Sequence, residues 1–315
     1  MSSTGTQHAD PFVHPALFYR GDDEYLVGGV PFITEGLAAG EPVAVAAPAA
    51  KLALLRDALG SAAGQVRMLD MTEVGRNPGR IIPGVLRAFA DAHPDRHVRI
   101  IGEPIWPQRS DHEYPACVQH EALINHAFTG RDVTILCPYD AERLDPVVLA
   151  DAARTHPLLV DAAGQHHSEA YAPDEAIAAY NRDLAAPVDA TTVAVDSRGL
   201  AGLRQMAAEF AARVGLSAQR RDDLLLVLTE LATNSIEHAR SIATVLLGID
   251  GHHLVCQVRD TGRLSDPLVG RRPEVAGQLR GRGLLMVNQL ADLVRIHTSA
   301  QGTTIVARFT LARTF

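Results

Sequence analysis

The chain has one lysine, Lys51, one tryptophan, Trp106, and three scattered cysteines. Each scarcity excludes something. Lys51 stands in Ala-Ala-Lys-Leu-Ala with no glycine loop around it, so no stretch reads G-x-x-x-x-G-K-[ST] and a phosphate loop of that type is excluded. Cys117, Cys137 and Cys256 are odd in number and far apart, which excludes a disulfide framework and points to reduced thiols. No uncharged apolar run reaches the roughly 18–20 residues that span a bilayer. The start, MSSTGTQHADPFVHP, has neither the basic end nor the apolar centre of a signal peptide. The expected location is the cytoplasm, with no membrane association. Positive charge is also in deficit: 29 Lys and Arg against 37 Asp and Glu leave a net charge of −8. Broad electrostatic binding to nucleic acid is therefore not expected.

A length of 315 residues suggests two domains with real cores. In the first half, short apolar runs alternate with helical patterns. Helices are expected over 22–39, 49–59, 80–92 and 113–128, and strands over 42–47, 65–69, 98–102 and 133–137. This order predicts an α/β domain with a parallel sheet covered by helices on both faces. Residues 1–13 read as a disordered lead-in, and Pro31 is expected to kink or split the first helix. A helix over 173–184 and a linker over 185–190 precede the second half. There a strand over 192–195, a helix over 199–214 and a helix capped by Ser217 lead to strands over 242–249, 254–258, 293–298 and 303–311. This half reads as α+β, a mixed sheet with helices on one face.

The stretch 224–238, LLLVLTELATNSIEH, organises the second half. Leu224, Leu228 and Leu231 recur at helical spacing and bury one side, while Glu230, Asn234 and His238 rise one turn apart along another, with Asp223 near the same stripe. A carboxylate one turn from an amide pairs a base with an oxygen ligand for Mg²⁺; the plain alternative is a solvated polar face. Downstream come Arg259-Asp260-Thr261-Gly262, then a Pro/Gly/Arg-rich stretch, then Gly281-Arg282-Gly283-Leu284 opening a helix, then Gly302-Thr303 opening a strand.

In this order the four pieces resemble the N, G1, G2 and G3 boxes of the GHKL (Bergerat) ATP-binding fold, shared by gyrase, histidine kinases and bacterial anti-sigma-factor kinases. ELATNSIEHA is most similar to the anti-sigma serine-kinase branch. The resemblance covers about residues 190–312 and implies a two-layer domain over 190–315 that binds ATP and Mg²⁺. Glu230 is then the general base towards the phosphate acceptor, and Asn234 ligates the Mg²⁺ that bridges the phosphates. His238 lies near the adenosine. Asp260 accepts from the adenine amino group, Gly262 lets the backbone approach the base, and Thr303 helps to bind adenine. Gly281, Gly283 and Leu284 open a helix whose amides favour phosphate, and Arg282 pairs with the terminal phosphate. One departure stands in the G1 box, where Leu264 replaces a second glycine. Residues 263–280 are the ATP lid by analogy, a mobile loop marked by Pro267, Gly270, Pro273 and Gly277.

Residues 14–184 resemble a MEDS (DcmR-like) sensory domain, of RecA/KaiC-like shape without the P-loop, through HPALFYRGDDEY, GLAAGEPVAVAAP and GEPIW. The resemblance implies sensing of a small organic molecule. Glu103 and Trp106 follow a predicted parallel strand, where ligands of open α/β sheets bind; alternatively they serve the core and a turn. His112, Cys117, His120 and His126 cluster in sequence without a metal-site spacing and read as surface residues, as do His166 and His167.

Together these resemblances imply an ATP-dependent anti-sigma factor, a homodimer as anti-sigma kinases commonly are, that phosphorylates a serine or threonine of a STAS-type antagonist under sensory control. Two other readings stay open: a nucleotide-dependent binding switch without transfer, and a histidine-kinase-like ATPase. Against the last, the helix over 199–214 holds no phosphoacceptor histidine.

Overall fold

In a computed structural model of the chain, residues 10–274 and 281–311 are described. Contacts divide the chain into two compact units. One holds the chain up to Glu73, Leu86–Arg109 and Glu121–Ala176; the other holds Val74–Val85, Ser110–His120 and the chain from Ile177.

The first unit is built on β1 (Pro15–Tyr19), β2 (Val43–Ala47), β3 (Arg67–Asp70), β4 (Val98–Gly102), β5 (Val133–Asp140), β6 (Leu158–Asp161) and β7 (Gly164–His167), in the order β3-β2-β4-β5-β1-β6-β7. Every pairing is parallel except β6 with β7. The helices are α1 (Gly21–Ala38), α2 (Ala49–Leu59), the short α3 (Met71–Val74) and α4 (Arg87–Asp91), α5 (Tyr114–Phe128), of which only the part from Glu121 onward belongs to this unit, and α6 (Pro146–Thr155). Every residue of β2 is buried, as a strand covered on both faces requires.

Three expectations need correction here. Residues 10–13 are ordered, while 1–9 lie outside the described residues: Val13 bridges to Thr134, and Phe12 stacks on His14 and Phe128 with ring centroids 5.7 and 5.4 Å away. α1 is not split at Pro31, because its buried stripe Tyr25, Gly29, Ile33 and Gly36 spans both sides of the proline. The helix expected over 80–92 is instead a 3₁₀ turn (Pro78–Arg80), a wide π turn (Ile82–Leu86) and α4. Pro83 has no N–H for the ordinary i→i−4 bond, and the wider turn accommodates it.

α7 (Pro173–Ala179) is divided between the units after Ala176, and the second unit then carries β8 (Thr191–Val195), α8 (Leu200–Arg213), α9 (Ala218–Glu237), β9 (Ala243–Asp250), β10 (His253–Asp260), α10 (Gly283–Leu290), β11 (Leu293–Ser299) and β12 (Gly302–Thr310). The sheet runs β11-β12-β10-β9-β8. It is not mixed, as the sequence suggested; all four pairings are antiparallel. α7 stops at Ala179, short of the expected 184, because Asn181 is drawn to β11: its Nδ2 donates to Thr298 O at 2.8 Å and its Oδ1 accepts from Thr298 N at 3.0 Å. Ser217 caps α9 by accepting from Arg220 N at 3.4 Å. Leu224, Val227, Leu228, Leu231 and Ala232 of α9 are buried in one core with Val245, Leu247, Leu254 and Phe309 of the sheet. Cutting Leu228 to alanine in such a core costs about 2–5 kcal/mol. None of the described helices is long and apolar enough to cross a membrane.

Candidate functional site

The apolar stripe of α9 fixes its rotation, so Glu230, Asn234 and His238 face away from the core. The antiparallel register places Asp260, the last residue of β10, opposite Thr303 near the start of β12. The start of α10 lies against α9, where Gly283 faces Glu230 and Asn234. A cavity of about 640 Å³ opens between them. Glu230, Asn234, His238, Asp260, Gly262, Gly281, Arg282, Gly283, Leu284 and Thr303 all line it. Residues separated by about seventy positions in sequence are thus gathered at one end of the sheet.

Several contacts give the cavity its shape. Asp260 Oδ1 accepts from Gly262 N at 2.8 Å, and Asp260 Oδ2 lies 2.7 Å from Ser235 Oγ. The Ser235 oxygen also lies 3.1 Å from Leu231 O; its one proton is best used on the shorter, charge-assisted contact. The carboxylate is thereby fixed in rotation, with acceptor capacity left for a ligand. Thr303 Oγ1 donates to Gly262 O at 2.8 Å and lies 3.0 Å from Thr298 Oγ1, which accepts from Leu264 N at 3.1 Å. Leu264, at the place of the missing glycine, both lines the cavity and packs on the core. At Gly262 a Cβ would lie 2.5 Å from Ala239 Cβ, so the turn after Asp260 has room only for glycine.

At the other end of the cavity, α10 begins without a side-chain cap. Its first N–H groups point to the cavity side where Gly281–Gly283 lie, and such a helix start favours anions. Gly281 has φ +87°, a left-handed conformation suited to glycine. Arg282 lies 3.5 Å from Glu274 across an ion pair, half-exposed. Asp223 is not in this site: it is buried and bound to Arg220 Nη1 at 2.9 Å.

Part of the expected lid is anchored rather than mobile. Leu268, Gly270 and Arg271 are buried. Asn288 Nδ2 donates to Gly270 O at 3.0 Å, and Asn77 Nδ2 donates to Asn288 O at 2.9 Å. Gly277, Leu279 and Arg280 lie outside the described residues. Ser235, Thr233, Glu237 and Val269 also belong to the cavity or its support and were not singled out from sequence. Only Ser235 had a readable signal, as a buried hydroxyl beside Asn234 in the organising stretch.

In the first unit, Glu103 and Trp106 have different partners. Glu103 is buried; Tyr19 Oη donates to its Oε1 at 3.2 Å, and burial, aided by Asp140, raises its pKa to about 8 against the pull of Lys51 and Tyr19. Trp106 is half-buried, with the Arg109 guanidinium 4.0 Å over its ring. Lys51 sits 4.5 Å over the rings of Tyr19 and Tyr25 and pairs with Asp22 at 2.9 Å, a packing role and no phosphate loop. Cys117 and His120 are buried, contrary to the surface reading, whereas His112, His126, His166 and His167 are exposed.

Residues 193–309 match the family described as histidine kinase-like ATPase domain. The chain carries a histidine kinase-like ATPase domain. Residues 13–157 match the MEthanogen/methylotroph, DcmR Sensory domain, MEDS, so the ATPase domain follows a MEDS domain. Similar solved structures include the RsbU and RsbW domains of a Mycobacterium tuberculosis protein, at 20% identity and a TM-score of 0.31, over 40% of this chain and 34% of that one. The match therefore spans about a third of that protein's chain. No curated protein matches this chain.

Proposed function

We propose that this protein is an ATP-dependent anti-sigma factor and protein serine/threonine kinase, with residues 14–184 as its sensory domain and 190–315 as its kinase domain. The observation that carries the reading is the convergence of the expected residues on one cavity in a histidine kinase-like ATPase domain. Asp260, fixed by Ser235 and Gly262, takes the adenine amino group, and Thr303 supports the same turn. Asn234 would hold the Mg²⁺ that accompanies ATP, since its amide oxygen suits a hard cation. The start of α10 and Arg282 take the phosphate charge. Glu230, one turn from Asn234, orients the acceptor hydroxyl and receives its proton. The acceptor is a serine or threonine of a STAS-type antagonist, and the sigma factor is the second partner. A small organic ligand near Glu103 and Trp106 is the proposed input, and a homodimer the proposed assembly.

The histidine-kinase alternative is weaker because α8 has no histidine to phosphorylate. The switch without transfer is the rival that matters. The test is titration of the full chain with Mg-ATP, followed by labelled-phosphate transfer to candidate STAS proteins from the same host. Saturable binding with transfer to serine or threonine is expected. Binding without transfer to any of them favours the switch, and no binding removes both readings.

A further inference from the structure

One side-chain cluster shares no residue with the cavity of the second unit and has no part in the proposed kinase chemistry. His14 precedes β1, Glu121 is on α5, Cys137 is on β5 and His156 follows α6. All belong to the first unit and all are at most 1% exposed. One ligand atom from each lies within 4.8 Å of every other. Glu121 Oε2 is 3.2 Å from His156 Nε2 and 3.4 Å from His14 Nε2, and Cys137 Sγ is 3.4 Å from His14 Nε2.

We propose that His14, Glu121, Cys137 and His156 form a closed, four-ligand site for one zinc-class divalent cation. Three observations carry this. First, three of the separations, 3.2–3.4 Å, match the edges of a coordination tetrahedron, and the remaining ones, all within 4.8 Å, close by small side-chain shifts when a cation is bound. Bonds of about 2.0–2.3 Å to N, O and S put neighbouring ligands about 3.3–3.6 Å apart.

Second, outer partners set both imidazole tautomers. His156 Nδ1 lies 2.8 Å from Ala152 O, a pure acceptor, so Nδ1 carries the proton. His14 Nδ1 lies 3.1 Å from Asn125 Oδ1. The orientation of that amide is itself set, because Asn125 Nδ2 faces three carbonyls, of Glu121, Ala122 and Thr155. Both Nε2 lone pairs therefore point inward at Glu121. Histidines that bind metal through one nitrogen and donate from the other show this same arrangement.

Third, the charges balance. Two neutral imidazoles, one thiolate and one carboxylate around a divalent cation sum to zero, which a site this deeply buried requires. Binding displaces the thiol proton to solvent, and no redox change is involved. Thiolate with imidazole selects zinc over magnesium or calcium. Four protein ligands leave no open position, so the cation braces β1, β5, α5 and α6 and activates no water.

The rival is a metal-free network in which Cys137 S–H donates to His14 and a protonated Glu121 donates to His156. The experiment is elemental analysis of the full chain, purified without chelator and dialysed against zinc, beside cobalt(II) substitution and thermal melting. One zinc per chain is expected, with tetrahedral cobalt absorption and a thiolate-to-cobalt band. Cys137→Ser should abolish that band and Asn125→Ala should weaken binding roughly 10–100-fold, as loss of an outer partner does. A strong chelator should lower the melting temperature of the wild type. Wild-type protein that is folded but takes up no zinc overturns the proposal whatever the variants do. So does stoichiometric zinc that Cys137→Ser leaves unchanged, which would place the ion elsewhere.

Discussion

Gly283 faces Glu230 so closely that a Cβ at position 283 would stand 2.6 Å from Glu230 Oε2 and 3.2 Å from Asn234 Nδ2. The atoms it would meet are ends of flexible side chains, not backbone. Gly283→Ala is therefore expected to fold, with stability changed by no more than about 1 kcal/mol. It should displace the carboxylate and the amide together. Phosphotransfer should fall by roughly 10²-fold, a typical loss for a mis-set base. Melting curves and transfer rates check this; a wild-type rate would remove Glu230 from the reacting geometry.

Base and ligand are separable by substitution. Glu230→Gln keeps the size and removes the base, so ATP affinity should stay within about 1 kcal/mol. Transfer should drop by roughly 10²–10⁴-fold. Asn234→Ala should weaken ATP binding in Mg²⁺ and leave it nearly unchanged in EDTA. ATP titrations with and without metal read the second effect, and single-turnover transfer reads the first. Equal weakening in both metal conditions would deny Asn234 its proposed ligand role.

The residues that line the cavity of the second unit were legible because three signals reinforced one another. Leu224, Leu228 and Leu231 fixed the face of α9, Asp260 closed a strand, and Gly281–Gly283 opened a helix, all in a set order. The cluster at His14 was not legible. Its four members come from positions 14, 121, 137 and 156, and only the parallel pairing of β1 with β5 and β6 brings them together. Nearness in sequence misleads at the same place: α5 turns Cys117 and His120 inward and leaves His126 exposed. The antiparallel second sheet and the early end of α7 were hidden for a similar reason. Pairing partners, such as Asn181 with Thr298, are chosen by tertiary contact and not by local pattern.

Ser235 should matter to nucleotide binding although it offers the ligand nothing directly. Its hydroxyl holds Asp260 Oδ2 at 2.7 Å. Hydrogen bonds to charged groups are worth about 1.5–3 kcal/mol. Ser235→Ala should weaken ATP binding by roughly tenfold through a freed carboxylate. Asp260→Asn should weaken it further, since the replacement amide presents a donor where the adenine amino group needs an acceptor. Calorimetry compares the two, and a Ser235→Ala affinity equal to wild type would show that Gly262 N alone fixes Asp260.

The lid makes a positional prediction. Arg263 and Arg272 are exposed, whereas Arg271 is buried and its Nη1 lies 3.5 Å from Pro78 O. Trypsin should cut the nucleotide-free protein after Arg263 and spare both Arg271, which is buried, and Arg272, which precedes Pro273. Mg-ATP should slow the cut after Arg263 if the segment closes over the phosphates. Mass mapping of early fragments checks this, and equal rates with and without nucleotide would count against closure.

Glu103 gives the first unit a pH dependence whose sign is fixed. Its carboxyl is raised from 4.5 to about 8 when folded, chiefly by burial. Below the unfolded value both states are protonated, and the group costs nothing. As pH rises through the window from about 4.5 to about 8, the unfolded chain releases the proton and the folded chain keeps it, so stability falls. Above the folded value both states are ionised, and the full cost of a buried carboxylate remains. Glu103→Gln keeps an acceptor for Tyr19 and removes the titration. Between about pH 5 and about pH 8 the wild type should lose stability relative to the variant, on the order of a few kcal/mol. Urea midpoints of both proteins at the two ends of the window measure the difference. Parallel curves would mean that Glu103 titrates alike in both states, and the buried proton would have to be abandoned.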